Sequence, residues 1–188
     1  DGKTDVAVFH PATGVWTIVL SSTGATQTVT LGVSGDVPVP RDYDGDGKTD
    51  VAIYHPATGG WTIRQSTTNT TTTATLGGSG DVPVPGDYDG DGKADVATYH
   101  SATGLWTILQ SSTGTTRTVT LGGSGATPVP GDYDGDGKTD VAVFGATGQW
   151  QILQSSTSTT VTATWGLGTD LAVASLIQTN AAIAMRPK

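Results

Sequence analysis

The chain lacks cysteine and glutamate, has a single methionine, and contains no apolar run approaching the ~20 residues that span a bilayer. The absence of cysteine excludes a disulfide scaffold, a zinc–thiolate centre and a thiol nucleophile. The absence of glutamate excludes a paired-glutamate hydrolytic centre and the bidentate glutamate of an EF-hand. Basic residues are also sparse. Nine Lys and Arg in 188 residues, scattered singly, make no stripe that would track a nucleic acid. No nucleophile elbow, Ser/His/Asp order or phosphate loop is visible, so the sequence reads as non-enzymatic.

What the chain does have is aspartate in a fixed pattern. All 17 acidic residues are Asp, and twelve of them lie in three copies of one loop. The run Asp42-Tyr43-Asp44-Gly45-Asp46-Gly47-Lys48-Thr49-Asp50 returns as Asp87 to Asp95 and as Asp132 to Asp140, 45 residues later each time. A truncated copy, Asp1 to Asp5, opens the chain in the same register. Carboxylates at loop positions 1, 3, 5 and 9 of a Gly-rich turn are hard oxygen ligands that can converge on one point, which suits Ca²⁺ with its 6–8 oxygens. Position 12 is Ile53 within an apolar run, which the EF-hand pattern does not allow. Three Ca²⁺ would raise the formal charge of −8 to about −2. A fourth ion at Asp1 and Asp5 is not expected, because positions 1 and 3 are missing there. Such loops work where calcium is millimolar, so the expected location is secreted, outside the cell. The chain starts inside a repeat without Met or a signal segment and reads as a mature product, a processed fragment or a trimmed piece.

The 45-residue period without helix signals predicts an all-β fold of propeller-type blades, each of four antiparallel strands. The expected division is a partial blade at 1–32, blades at 33–77, 78–122 and 123–166, and degenerate terminal strands at 167–188. The first strand of a blade is Val37-Pro38-Val39-Pro40 or its repeats. Proline cannot donate to a ladder, and residues two apart face the same edge, so Pro38 and Pro40 close one edge only. Second, third and fourth strands are Asp50 to Tyr54, Trp61 to Ile63 and Thr73 to Leu76. Asp170 to Ser175 aligns with the first strand, and Ala181 to Met185 mimics a second. Both ends are thus incomplete, which predicts self-association through terminal strands or a displaced tail.

The loop sequence, followed by Val-Ala and preceded by Val-Pro-Val-Pro, closely resembles the FG-GAP and VCBS-like repeats. Those repeats build β-propellers in integrin α subunits, several lectins and many secreted bacterial proteins. The resemblance implies Ca²⁺ held by Asp42, Asp44, Asp46, the carbonyl of Lys48 and Asp50. It implies a second set of Asp87, Asp89, Asp91, Lys93 (carbonyl) and Asp95, and a third of Asp132, Asp134, Asp136, Lys138 (carbonyl) and Asp140. Each loop is expected to act independently of the others.

Other residues recur with the period. His10, His55 and His100 precede the same turn and read as turn packing rather than catalysis. Trp16, Trp61, Trp106 and Trp150 read as core, as does Trp165, which stands where other repeats have Leu31, Leu76 and Leu121. Tyr43, Tyr88 and Tyr133 read as exposed loop aromatics available to a partner. Asn69-Thr70-Thr71 is a glycosylation sequon in a predicted turn. Three functions follow. The first is a non-catalytic extracellular calcium-binding module for adhesion or protein binding. The second is a lectin with sugars in grooves between blades. The third is a structural subunit completed by strand pairing between chains.

Overall fold

A computed structural model describes residues 3–172. The chain is all-β, with no helix among the described residues. It contains two compact units, Asp1–Ser79 and Gly80–Lys188. The first unit holds a three-stranded sheet of β1 (Val6–His10), β2 (Val15–Val19) and β3 (Thr26–Thr30). It also holds a four-stranded sheet of β4 (Val37–Pro38), β5 (Val51–His55), β6 (Gly60–Arg64) and β7 (Thr71–Thr75), paired in that order. The second unit repeats this four-stranded plan twice. Its sheets are β8 (Asp81–Pro83) to β9 (Val96–His100), β10 (Leu105–Leu109) and β11 (Thr116–Thr120), then β12 (Thr127–Pro128) to β13 (Val141–Phe144), β14 (Gln149–Leu153) and β15 (Thr160–Thr164). Every pairing is antiparallel, as blade-type repeats require. The expected strands beyond residue 172 lie outside the described residues.

The proline-bounded first strand is shorter than the sequence suggested. Regular pairing covers only Val37–Pro38, Asp81–Pro83 and Thr127–Pro128. The reason is chemical: between two prolines a single N–H remains. Val39, Val84 and Val129 donate it to Ala52, Ala97 and Ala142 at 2.9, 2.8 and 2.8 Å. Their donors face the second strand, so the prolines face the unpaired edge, as alternation demands. Pairing then resumes as isolated bridges, Arg41 with Asp50, Gly86 with Asp95 and Gly131 with Asp140. Each bridge joins the residue before the Asp loop to the loop's ninth position. The fold therefore closes each loop at its base.

One tryptophan anchors each sheet. Trp16, Trp61 and Trp106 are buried, and Trp150 is half-buried. Each indole donates to the carbonyl fifteen residues on: Leu31, Leu76, Leu121 and Trp165, at 3.0–3.2 Å. Each ring also packs, tilted, on the aromatic opposite it in the second strand, with centroids 5.0–5.1 Å apart. Trp165 departs from the expected core role, with its side chain 79 % exposed. Leu31 packs on a cluster that includes Ile53 of the following sheet, and Leu121 on one that includes Val141 and Val143 of its follower. Among the described residues no sheet follows Trp165. The outer turn between third and fourth strands needs a left-handed residue, supplied by Gly24 (φ 71°), Asn69 (57°), Gly114 (67°) and Ser158 (55°). The sequon asparagine therefore has a backbone role in an exposed turn.

Candidate metal centre

The three Asp loops share one construction. Gly45 and Gly47 lie at φ 82° and 81°, in left-handed space open to glycine at little cost. That turns successive N–H groups inward. Asp42 accepts from Gly45 N at 2.6 Å and from Gly47 N at 2.8 Å, Asp44 from Asp46 N at 3.2 Å, and Asp46 from Lys48 N at 2.8 Å. The second and third loops repeat these bonds at 2.6–3.2 Å. A short carboxylate reaches these amides; a longer glutamate would overshoot them.

The ninth-position carboxylates are the deepest charges among the described residues. Asp50, Asp95 and Asp140 are 1, 0 and 1 % exposed. Each accepts from the tyrosine amide at loop position 2, at 2.9 Å, and from a serine amide at 2.7 Å. Burial pushes the Asp95 and Asp140 carboxyls up, against the lowering effect of those hydrogen bonds. No Lys or Arg pairs with any of the three among the described residues. In the truncated copy, Asp5 likewise accepts from Ser21 N at 2.7 Å, and this bond is the main cause that lowers its pKa. Asp1 lies outside the described residues.

Carboxylate oxygens within 4.8 Å of one another belong to Asp42, Asp44 and Asp50 in the first loop, and to Asp87, Asp89 and Asp95 in the second. In the third they belong to Asp132, Asp134 and Asp136. These three clusters could hold a metal ion. Asp46, Asp91 and Asp140 stand just outside the groups of three. Asp46 accepts from Ser66 Oγ at 2.9 Å and Thr67 Oγ1 at 2.8 Å. Its carboxyl is held down at about 2, first by the Lys48 amide and then by Thr67. Its ion pair with Lys48, at 3.6 Å, involves an exposed lysine and contributes little. The Ser156 hydroxyl holds Asp134 down in the same way.

Ser66 with Thr67, Ser111 with Ser112, and Ser155 with Ser156 thus form an outer ring of donors that sequence reasoning missed. The signal was present as Gln-Ser-Thr or Gln-Ser-Ser, in register after the third strand of each four-stranded sheet, but a Ser/Thr turn carries no chemistry until folding sets it beside the loop. The loop tyrosines correct another expectation. Tyr43 and Tyr88 are buried and Tyr133 half-buried, with hydroxyls donating to the carbonyls of Val39, Val84 and Val129 at 2.7–2.8 Å. Desolvation raises the Tyr43 hydroxyl well above its ordinary pKa and that of Tyr133 to about 12. These side chains brace the proline strand beneath the loop and do not face a partner. Tyr43→Phe is expected to cost about 1 kcal/mol in urea unfolding; no loss of stability would show that the bond is not formed in solution.

Two of the three histidines, His55 and His100, have a partner at the turn that the sequence did not reveal, while His10 is exposed. His55 Nδ1 bonds Asp36, and His100 Nδ1 bonds Asp81 at 2.7 Å. Two of the loops, expected to be separate turns, are in contact. Thr139 N donates to the Asp87 carbonyl at 2.6 Å, and a Cβ on Gly90 would lie 2.7 Å from Lys138 Cε. The second and third loops therefore touch.

Residues 42–98 and again 87–143 match a family described as the FG-GAP-like repeat, and together these segments cover more than half the chain. No curated protein and no solved structure matches the chain.

Proposed function

Because this chain belongs to the FG-GAP-like repeat family, we propose that it is a non-catalytic, extracellular, calcium-binding β-propeller module for adhesion or protein binding. One observation carries the metal reading. Each complete loop sinks a carboxylate at position 9 and leaves it without a cationic side chain among the described residues; Asp42 and Asp44 lie beside Asp50, Asp87 and Asp89 beside Asp95, and the charge of Asp134 acts on Asp140. An ion supplies the missing positive charge. An all-oxygen donor set in a flexible loop suits Ca²⁺ better than Mg²⁺, which demands near-ideal octahedra and keeps its waters. The ligands would be the four Asp of each loop and the carbonyl of Lys48, Lys93 or Lys138. The ion would tie the loop's first turn to its closed base, and its role is structural.

Secretion fits this reading, since millimolar calcium lies outside cells. No helix of the described residues is long and apolar enough to cross a membrane. The non-catalytic reading rests on the repeat family, and the Asp36–His55 and Asp81–His100 bonds are read as turn contacts.

Calcium titration of the chelated protein by calorimetry tests the proposal, with three ions per chain expected. Asp89→Ala should reduce the count to two. It should also weaken the third loop more than the first, through the Thr139–Asp87 contact. No uptake by the native chain, or three ions retained in the variant, would overturn the assignment.

A further inference from the structure

Four of the positions at which the last described sheet departs from its own repeat line one cavity. In the two preceding four-stranded sheets, an aspartate at the start of the first strand (Asp36 just before β4, Asp81 opening β8) holds the histidine that ends the second (His55, His100). At the equivalent positions the last sheet has Ala126 and Gly145, and the turn after Gly145 is one residue shorter. Facing them on β14 are Gln149, where other repeats have Val15, Gly60 and Leu105, and Gln151, where they have Thr17, Thr62 and Thr107.

The loss of the pair is concerted. Losing the histidine alone would leave a carboxylate like that of Asp36, whose side chain is 2 % exposed, short of a partner. Losing both leaves space. A cavity of about 290 Å³ occupies this place, lined by Ser124, Ala126, Val143, Gly145, Gln149 and Gln151 together with the Gly122–Gly123 backbone. The turn beneath it keeps its form, with Ala126 N donating to Gly123 O at 3.0 Å as Asp36 N does to Val33 O at 3.2 Å. Its far wall is fixed by Tyr99, whose hydroxyl accepts from Gly123 N at 3.1 Å and donates to Gly123 O at 3.3 Å. The cavity is therefore preformed.

Its chemistry is uncharged. The two glutamines lie on one face of β14, and Gln151 Nε2 reaches Gln149 Oε1 at 3.4 Å. That contact leaves each amide with further donors and acceptors, and Ser124 adds a hydroxyl. Val143 and the alanine methyls give an apolar floor. Such a lining offers hydrogen bonds of both polarities and no ion pair, which suits a neutral polyhydroxylated ring. The volume lies at the small end of ligand pockets, ~300–1,000 Å³, with room for one ring.

We propose that this cavity binds a single neutral pyranose residue through Gln149, Gln151 and Ser124. The site stands apart from the Asp loops and does not depend on the calcium reading.

The test uses the calcium-loaded chain and three probes: the methyl α-pyranosides of glucose, galactose and mannose. Amide shifts in two-dimensional NMR report binding. At least one probe should move the Gly122, Gly123 and Gly145 amides and saturate. Ala126→Asp with Gly145→His restores the pair of the earlier repeats. A Cβ on Gly145 meets nothing closer than 3.4 Å, so the backbone there accommodates a side chain. This variant should bind at least tenfold more weakly. Gln149→Leu with Gln151→Thr restores the other two positions and should do the same, which keeps the test valid if the first variant fails to fold. Absence of shifts at those amides with all three probes, or unchanged affinity in a folded variant, would overturn the proposal. Loss of calcium binding with retained pyranoside binding would overturn the calcium reading and leave this one standing.

Discussion

Chelation of calcium should lower the melting temperature more than any single substitution in a loop. The calcium-free protein must bury Asp50, Asp95 and Asp140 with no positive partner among the described residues, under the charge of neighbouring carboxylates. Ion binding to the folded form alone stabilises by about 2.7 kcal/mol per site at a hundred times Kd. For a chain of this size that is roughly 5–10 °C per site. Scanning calorimetry with calcium and then with excess EDTA reads the difference. An unchanged melting temperature, with no calcium uptake in titration, would remove the basis for the metal assignment. Acid should act in the same direction as EDTA. Ligands bind the ion as carboxylates, and burial raises Asp95 and Asp140 above the ordinary value, so protons compete there first as pH falls.

A second large effect is expected at the inner hairpin turn. Gly104 lies at φ 71°, and a Cβ there would sit 2.8 Å from the carbonyl carbon and oxygen of Gly122. The obstruction is backbone, so no rotamer change relieves it. The two segments are also tied, with Leu121 N donating to Gly104 O at 2.9 Å. Gly104→Ala should therefore combine left-handed strain with overpacking, about 3–5 kcal/mol in urea unfolding. Gly114→Ala is the control. Its φ is 67°, but nothing lies within 4 Å of the added methyl. Asn69 and Ser158 already occupy that turn position in other repeats. It should cost only about 1 kcal/mol. Equal losses in the two variants would show that the close approach to Gly122 does not matter.

The fold was legible because its signals repeat. The Trp spacing marked the third strands, and the Asp loops and Val-Pro runs marked what precedes the second. Alternation correctly placed the prolines on an unpaired edge, since the direction of a backbone N–H follows from strand geometry alone. The carboxylate pattern was legible for the same reason: spacing within one tight loop fixes distance. Contacts that link segments far apart were not. Ser66 and Asp46 are 20 residues apart, and His55 and Asp36 are 19 apart. Nothing local says that they meet. Tyr43 was misread because a residue flanked by two aspartates looks solvated. Its ring turns instead toward the proline strand, where a carbonyl accepts the hydroxyl. Trp165 was misread in the other direction, since repeat register promised a neighbour that the described residues do not supply.

The proline strand has a consequence for handling and engineering the protein. A sheet ordinarily offers two flanks to a misplaced segment, and either can seed aggregation. In the four-stranded sheets the proline flank, Val37–Pro40 or its repeats, has no outward donor, which leaves the Thr-rich flank at β7, β11 and β15; the three-stranded sheet keeps both flanks, β1 and β3. Substitutions meant to suppress clumping during refolding belong on those five strands. The most sensitive places for introducing aggregation are Pro38, Pro83 and Pro128, where another residue would restore the missing donor.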